Sequence, residues 1–196
     1  MSRIPEQPQQ PTPSVRRIRP GSRKKALLTI REIALFGMLG ALMMVSDIVM
    51  NFIPNVHLVG VTTVVLTVVY RWKALFPIYV YVLLIGLCEG AGLWFTYCYV
   101  WAILWGMVML LPKRMPPWLA PVAYALVCGL HGFAFGFLLI PYQMALVSFT
   151  FQQALVWWQV GFFTADIPHG IGNLVGSTLI VPMVTLIRKL DRGVKL

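Results

Sequence analysis

Three carboxylates stand inside or beside long apolar runs of this chain: Asp47, Glu89 and Asp166. An ionisable group near the centre of a bilayer costs roughly 2.5–3.5 kcal/mol or more, so each is a functional candidate by default. Asn51, Asn55, His57, His169 and Asn173 fall near the same ends of their segments, and His131 lies about midway along another. Asp166 and His169 are one helical turn apart and share a face, so they form either a mutually held pair or two walls of one site. Asp47 reads as a cap, a partner of another buried group or a ligand contact. Glu89, within the small-residue run Gly86–Gly92, reads as a helix–helix hydrogen bond or a ligand contact. His57 follows Pro54-Asn55-Val56 and is a loop organiser or a ligand contact, while His131 is expected to be a satisfied buried histidine. Aromatic residues gather on that side too. Trp94, Tyr97, Tyr99 and Trp101 form one group, and Trp157 and Trp158, beside Gln152, Gln153 and Gln159, form another. They suit an interfacial belt, or a cage that stacks and hydrogen-bonds a flat, partly polar ligand.

The elements that must position these groups follow from composition. The 196 residues are 59% hydrophobic and 11% charged, with mean hydropathy +0.78. That excludes a water-soluble enzyme, a disordered protein and a disulfide-rich module, and leaves a polytopic membrane protein. Six apolar segments, near 31–51, 56–70, 74–95, 97–111, 119–140 and 166–187, are expected to be helices, because a lone chain in lipid must satisfy its backbone internally. Residues 1–26 read as a disordered, basic tail interrupted by Pro5, Pro8, Pro11, Pro13 and Pro20. Residues 27–192 form the membrane domain and 193–196 a short tail end. A cleaved signal peptide is not expected.

The formal net charge of +10 could mark nucleic acid or an anionic membrane surface, and its distribution favours the second. Eight of the sixteen cations precede residue 32; the others are Arg71, Lys73, Lys113, Arg114, Arg188, Lys189, Arg192 and Lys195. With six spans and both termini cytoplasmic, every Lys and Arg faces inward, and the opposite connections near 52–55, 96 and 141–165 carry none. A seventh span within 144–164 would move the last four cations outside, so 142–165 is read as a long outer loop holding an interfacial or re-entrant helix. No nucleic-acid partner is expected.

Small residues mark close packing: Ala34, Gly37, Gly40 and Ala41 on the first segment, and Gly129, Gly132 and Gly136 on the fifth. The chain lacks GxxxxGK[ST], HExxH and GxSxG motifs, and its three histidines lie in different segments, so no cofactor, metal site or catalytic residue is expected. Cys88, Cys98 and Cys128 are isolated, form no CxxC and are expected to be buried thiols. The residues describe a small membrane protein that binds something from outside and has no engine of its own.

Over about residues 27–192 the chain resembles the substrate-binding S components of energy-coupling factor importers, the vitamin and micronutrient uptake systems of prokaryotes. The resemblance lies in the six-helix plan, the Ala34/Gly37/Ala41 face, the ending Leu139-Ile140-Pro141-Tyr142, the stretch Gly161-Phe162-Phe163-Thr164-Ala165-Asp166-Ile167-Pro168-His169-Gly170-Ile171-Gly172-Asn173, and the terminal Val181-Pro182-Met183 with Ile187-Arg188-Lys189-Leu190. It implies an all-α integral membrane bundle with six transmembrane helices, cytoplasmic termini and an outward-opening cavity in the plasma membrane. It also implies capture of a vitamin-like small molecule, then docking through Ala34, Gly37 and Ala41 on a transmembrane coupling protein driven by two cytoplasmic ATPases. Substrate contacts carried over from it are Asn51, Asn55, His57, Trp157, Trp158, Gln159, Asp166, His169 and Asn173, with Glu89 and Trp94 on the third helix less directly. Two other readings stand beside this one: a small membrane enzyme acting on a lipid or isoprenoid through Asp166, His169 and Glu89, and an accessory subunit with no ligand.

Overall fold

A computed structural model describes residues 27–193. The tail expected at 1–26 lies outside them, as do residues 194–196 of the expected tail end. Every regular element among the described residues is helical: α1 (Ile30–Met50), α2 (Val59–Tyr70), α3 (Leu75–Glu89), α4 (Gly92–Leu110), α5 (Leu119–Phe133), α6 (Phe135–Leu138), α7 (Ile140–Leu146), α8 (Phe151–Gly161), α9 (Ile167–Gly176) and α10 (Ile180–Gly193).

The start of α1 is fixed by a capping box, in which the Thr29 hydroxyl accepts from the Glu32 N–H and the Glu32 carboxylate accepts from the Thr29 N–H. Glu32 also pairs with Lys73. Lys73 sits in a four-residue 3-10 turn, Arg71–Ala74, between α2 and α3. The chain reverses there. Trp105 donates to the Arg71 carbonyl and Arg71 donates to Met109, whereas His57, just before α2, meets Trp101; α2 therefore runs parallel to α4. Tyr79 donates to Cys98 and Trp94 to Leu83, so α3 runs antiparallel to α4. The reversal is achieved at Arg71, with φ 55° and ψ −123°.

By length and composition, four helical runs among the described residues can cross a membrane: Ile30–Met50, Val59–Glu89, Gly92–Leu110 and Phe151–Arg192. A fifth is added if Leu119–Phe133 and Phe135–Leu146, bent by 59°, count as one. Val59–Glu89 is the run that folds back at Arg71. The flanks are apolar, with Met38, Leu87, Leu110, Phe163 and Val175 exposed. The buried core runs through α1–α5 and α10, including Met43, Val61, Val64, Ile78, Trp101, Leu104 and Ile180.

Several features differ from the sequence reading. Cys88 and Cys98 are exposed, and only Cys128 is the buried thiol expected. The fifth segment, expected to be continuous over 119–140, breaks at Ala134. The third and fourth segments separate at Gly90 and Ala91 rather than at residue 96, because Gly90 adopts φ 128°. Trp94 therefore belongs to α4, not to the third helix. The stretch 142–165, expected as a long loop holding one helix, does hold a helix, α8, but is helical almost throughout: α7 packs against α8 and the non-helical tip spans only 147–150. Ser148 turns at φ 61°, and a second capping box, Thr150 with Gln153, starts α8.

Candidate functional site

The site is built on the seam between α5 and α9. A Cβ at Gly132 would lie 2.7 Å from Asn173 Nδ2 and 2.8 Å from the Gly170 Cα, and one at Gly136 would lie 2.7 Å from Asp166 Oδ2. Glycine at these positions lets the two backbones touch. Phe162–Asp166 form a turn of π-helix between α8 and α9. Such widened turns recur at functional sites because they re-aim side chains. Here the turn delivers the buried Asp166 to the seam, where its carboxylate accepts from the Gly136 N–H at 2.8 Å and from the Trp158 indole N–H at 3.0 Å.

Above this carboxylate lies a cavity of about 250 Å³ lined by Asn55, Phe135, Gly136, Trp157, Trp158 and Asp166, among others. Its volume falls below the roughly 300–1,000 Å³ of clefts for drug-sized ligands, so its occupant must be small. The tryptophans come from α8. Asn55, at φ 60° in the α1–α2 connection, closes another side and donates to the Thr164 carbonyl at 3.4 Å. Asparagine is among the few residues that adopt this backbone conformation readily.

Phe135 separates the cavity from a second polar group deeper in the bundle. Its ring centroid is 4.6 Å from His169 and 6.0 Å from His131. His169 is in turn 4.6 Å from His57, and His131 is 5.6 Å from Trp101. One nitrogen of each histidine, the Trp101 indole N–H and the Asn173 carbonyl oxygen are buried without a hydrogen-bond partner among the described residues. The other nitrogen of His131 meets the Val100 carbonyl at 3.1 Å, and Asn173 donates to the Cys128 carbonyl at 3.2 Å. Unpaired buried polar atoms cost about 1–3 kcal/mol each, so this cluster is a reservoir of unmet hydrogen-bonding capacity next to the cavity.

The structure brings together Asn55, Trp157, Trp158 and Asp166 at the cavity, and His57, His169 and Asn173 beneath it. Asp166 and His169 do not hold each other: the first bonds to Gly136 and Trp158, and the second packs on Phe135 and His57. Asn51, Glu89 and Gln159 are exposed and do not line the cavity, and Trp94 packs its indole on α3. Asp47 accepts from Tyr81 at 2.7 Å. His131 joins the buried cluster rather than standing apart as a satisfied histidine. Phe135 carried no signal in the sequence, whereas Gly136 stood in the glycine series of the fifth segment. No group of three or more His, Cys, Asp or Glu among the described residues is arranged to hold a metal ion.

The two small-residue faces divide. The glycines of α5 meet α9, but a Cβ at Gly37 would meet nothing within 4 Å, and Ala34 and Ala41 are exposed beside it. Gly40, by contrast, packs on Val80 and Pro77 of α3. No family model matches this chain, and no curated protein or solved structure does so either.

Proposed function

We propose that this chain is a substrate-binding membrane subunit of the energy-coupling factor type, taking a small molecule from outside and passing it inward through partners that supply the energy. The observation that carries the reading is the cavity at Asp166. A buried carboxylate forms its base, two tryptophans of α8 form its roof, and a polar cluster of three histidines lies behind Phe135. That arrangement binds and orients. A ligand with an amine or other strong hydrogen-bond donor and a flat apolar face, as in a vitamin-like heterocycle, complements it.

In this reading the chain crosses the plasma membrane six times: α1, α2, α3, α4, α5 with α6 and α7, and α9 with α10. Both termini are cytoplasmic. The α7–α8 hairpin caps the outer side. Lys73, Lys113, Arg114, Arg188 and Lys189 then share the cytoplasmic side, in keeping with the positive-inside tendency. The open Ala34/Gly37/Ala41 face of α1 is the surface for a transmembrane coupling protein carrying two ATPases. A lipid-directed enzyme fits less well, since Glu89 is exposed at the end of α3 and takes no part in the cavity.

Native mass spectrometry of the purified full chain tests the proposal. A co-purified small molecule is expected on the wild-type protein and is expected to be depleted in Asp166→Asn without loss of folding. A wild-type chain that carries no small molecule and turns over lipid without partners overturns it.

A further inference from the structure

At the end of the bundle that carries Lys73, a second cavity, of about 200 Å³, lies among α2, α4, α5 and α10. Three cations line it from three separate segments: Arg71 from the α2–α3 turn, Lys113 beyond α4 and Arg188 from α10. Tyr124 of α5 adds a hydroxyl, and no Asp or Glu among the described residues lines it. Asp191, the acid nearest to Arg188 in sequence among the described residues, does not line it. Arg71 donates one guanidinium N–H to the Met109 carbonyl at 3.0 Å, but its Nε is buried without a partner. Arg188 makes a long contact of 3.4 Å to the Val68 carbonyl. Each guanidinium has five N–H donors, so most of this donor capacity is not met by the contacts described.

The backbone adds a second, independent observation. Arg71 holds φ 55° and ψ −123°, a conformation natural to glycine and rare for any residue with a Cβ. Strained positions of this kind persist at ligand clamps, where the surrounding structure over-determines them. Clustered like charges around one cavity repel one another unless an anion compensates them. We infer that this pocket binds a phosphate group through Arg71, Lys113 and Arg188. The phosphate belongs either to an anionic phospholipid headgroup or to a free, soluble phosphate. Guanidinium forks and an ammonium around a small cavity suit either source. The inference is independent of any ligand at Asp166.

The test uses the purified full chain in detergent, with phosphatidylglycerol, phosphatidylcholine and inorganic phosphate as separate probes, read by native mass spectrometry and calorimetry. Either selective retention of phosphatidylglycerol over phosphatidylcholine or saturable binding of inorganic phosphate is expected. The first without the second assigns the site to lipid, and phosphate binding assigns it to the soluble anion. Affinity should fall about fivefold for each of Lys113→Gln and Arg188→Gln. Lys189→Gln and Arg114→Gln, which change cations that do not line the pocket, should leave it unchanged. Arg71→Gly relaxes the backbone, so it keeps the fold while losing binding. Equal retention of the two lipids with no phosphate binding overturns the inference, as does unaltered binding in Arg71→Gly or an equal loss in Lys189→Gln.

Discussion

Trp158 and Asp166 stand eight residues apart and are joined across the π-helical turn by an indole N–H that donates to the carboxylate at 3.0 Å. The same carboxylate holds the Gly136 N–H. One side chain thus ties α8 to α6, the roof of the cavity to its base. Replacing Asp166 with Ala leaves two donors without their acceptor and is expected to cost about 1–3 kcal/mol. Asp166→Asn keeps an acceptor and should cost less, while weakening a cationic ligand about tenfold or more. Thermal unfolding and ligand retention, measured together on both variants, check this.

Gly136 is expected to be as sensitive as Asp166 itself. A Cβ there would lie 2.7 Å from the carboxylate, so Gly136→Ala should lose about 1–3 kcal/mol and disturb ligand binding. Gly106→Ala on α4 meets nothing within 4 Å and should be neutral or slightly stabilising. Equal melting temperatures for the two variants would contradict the close seam.

The cavity lining separates contacts from bystanders. Trp158→Phe removes the indole donor and part of the ring area, and is expected to reduce ligand retention with a modest loss of stability. Glu89→Gln and Asn51→Ala, at exposed positions away from the cavity, should leave retention at the wild-type level. A drop with Glu89→Gln would bring α3 back into the site.

On α1, Gly37→Leu and Gly40→Leu should behave in opposite ways. The first adds a side chain to an open face and should leave the isolated chain as stable as the wild type, yet block assembly with a coupling partner. The second drives a side chain into Val80 and Pro77 and should destabilise the chain alone. Co-purification with the partner, set against melting temperature, separates the two effects.

Sidedness is checked by cysteine labelling in a background with Cys88, Cys98 and Cys128 changed to Ser. A cysteine at Ser148, on the hairpin tip, is expected to react with an impermeant reagent from outside. One at Lys113 should react only after permeabilisation.

The helices of this fold are legible because long apolar runs suit segments that close their own backbone hydrogen bonds, and Arg71 and Lys113 mark where two of the runs end. The break at Gly90 has a sequence signal in Glu89-Gly90-Ala91-Gly92, but small residues also serve close helix packing, and only the Gly90 conformation shows that the chain turns there. The α7–α8 hairpin has a sequence signal in the Thr150 to Gln153 spacing of a capping box, but the uncharged, apolar residues around it give no sign of where one helix stops and the next starts. Convergence is a harder matter. His57, His131 and His169 lie on different segments, and only the packing of α2, α4, α5 and α9 brings them around Trp101 and Phe135. Nor does hydropathy distinguish Gly37 from Gly40, although one faces outward and the other touches α3.

The bond from Trp158 to Asp166 also leaves the carboxylate two ways to be engaged. A carboxylate has about four acceptor sites, and the Trp158 and Gly136 N–H groups use only part of that capacity. A donor that took a remaining site would leave α8 fastened to α6, whereas one that displaced the indole would unlatch it.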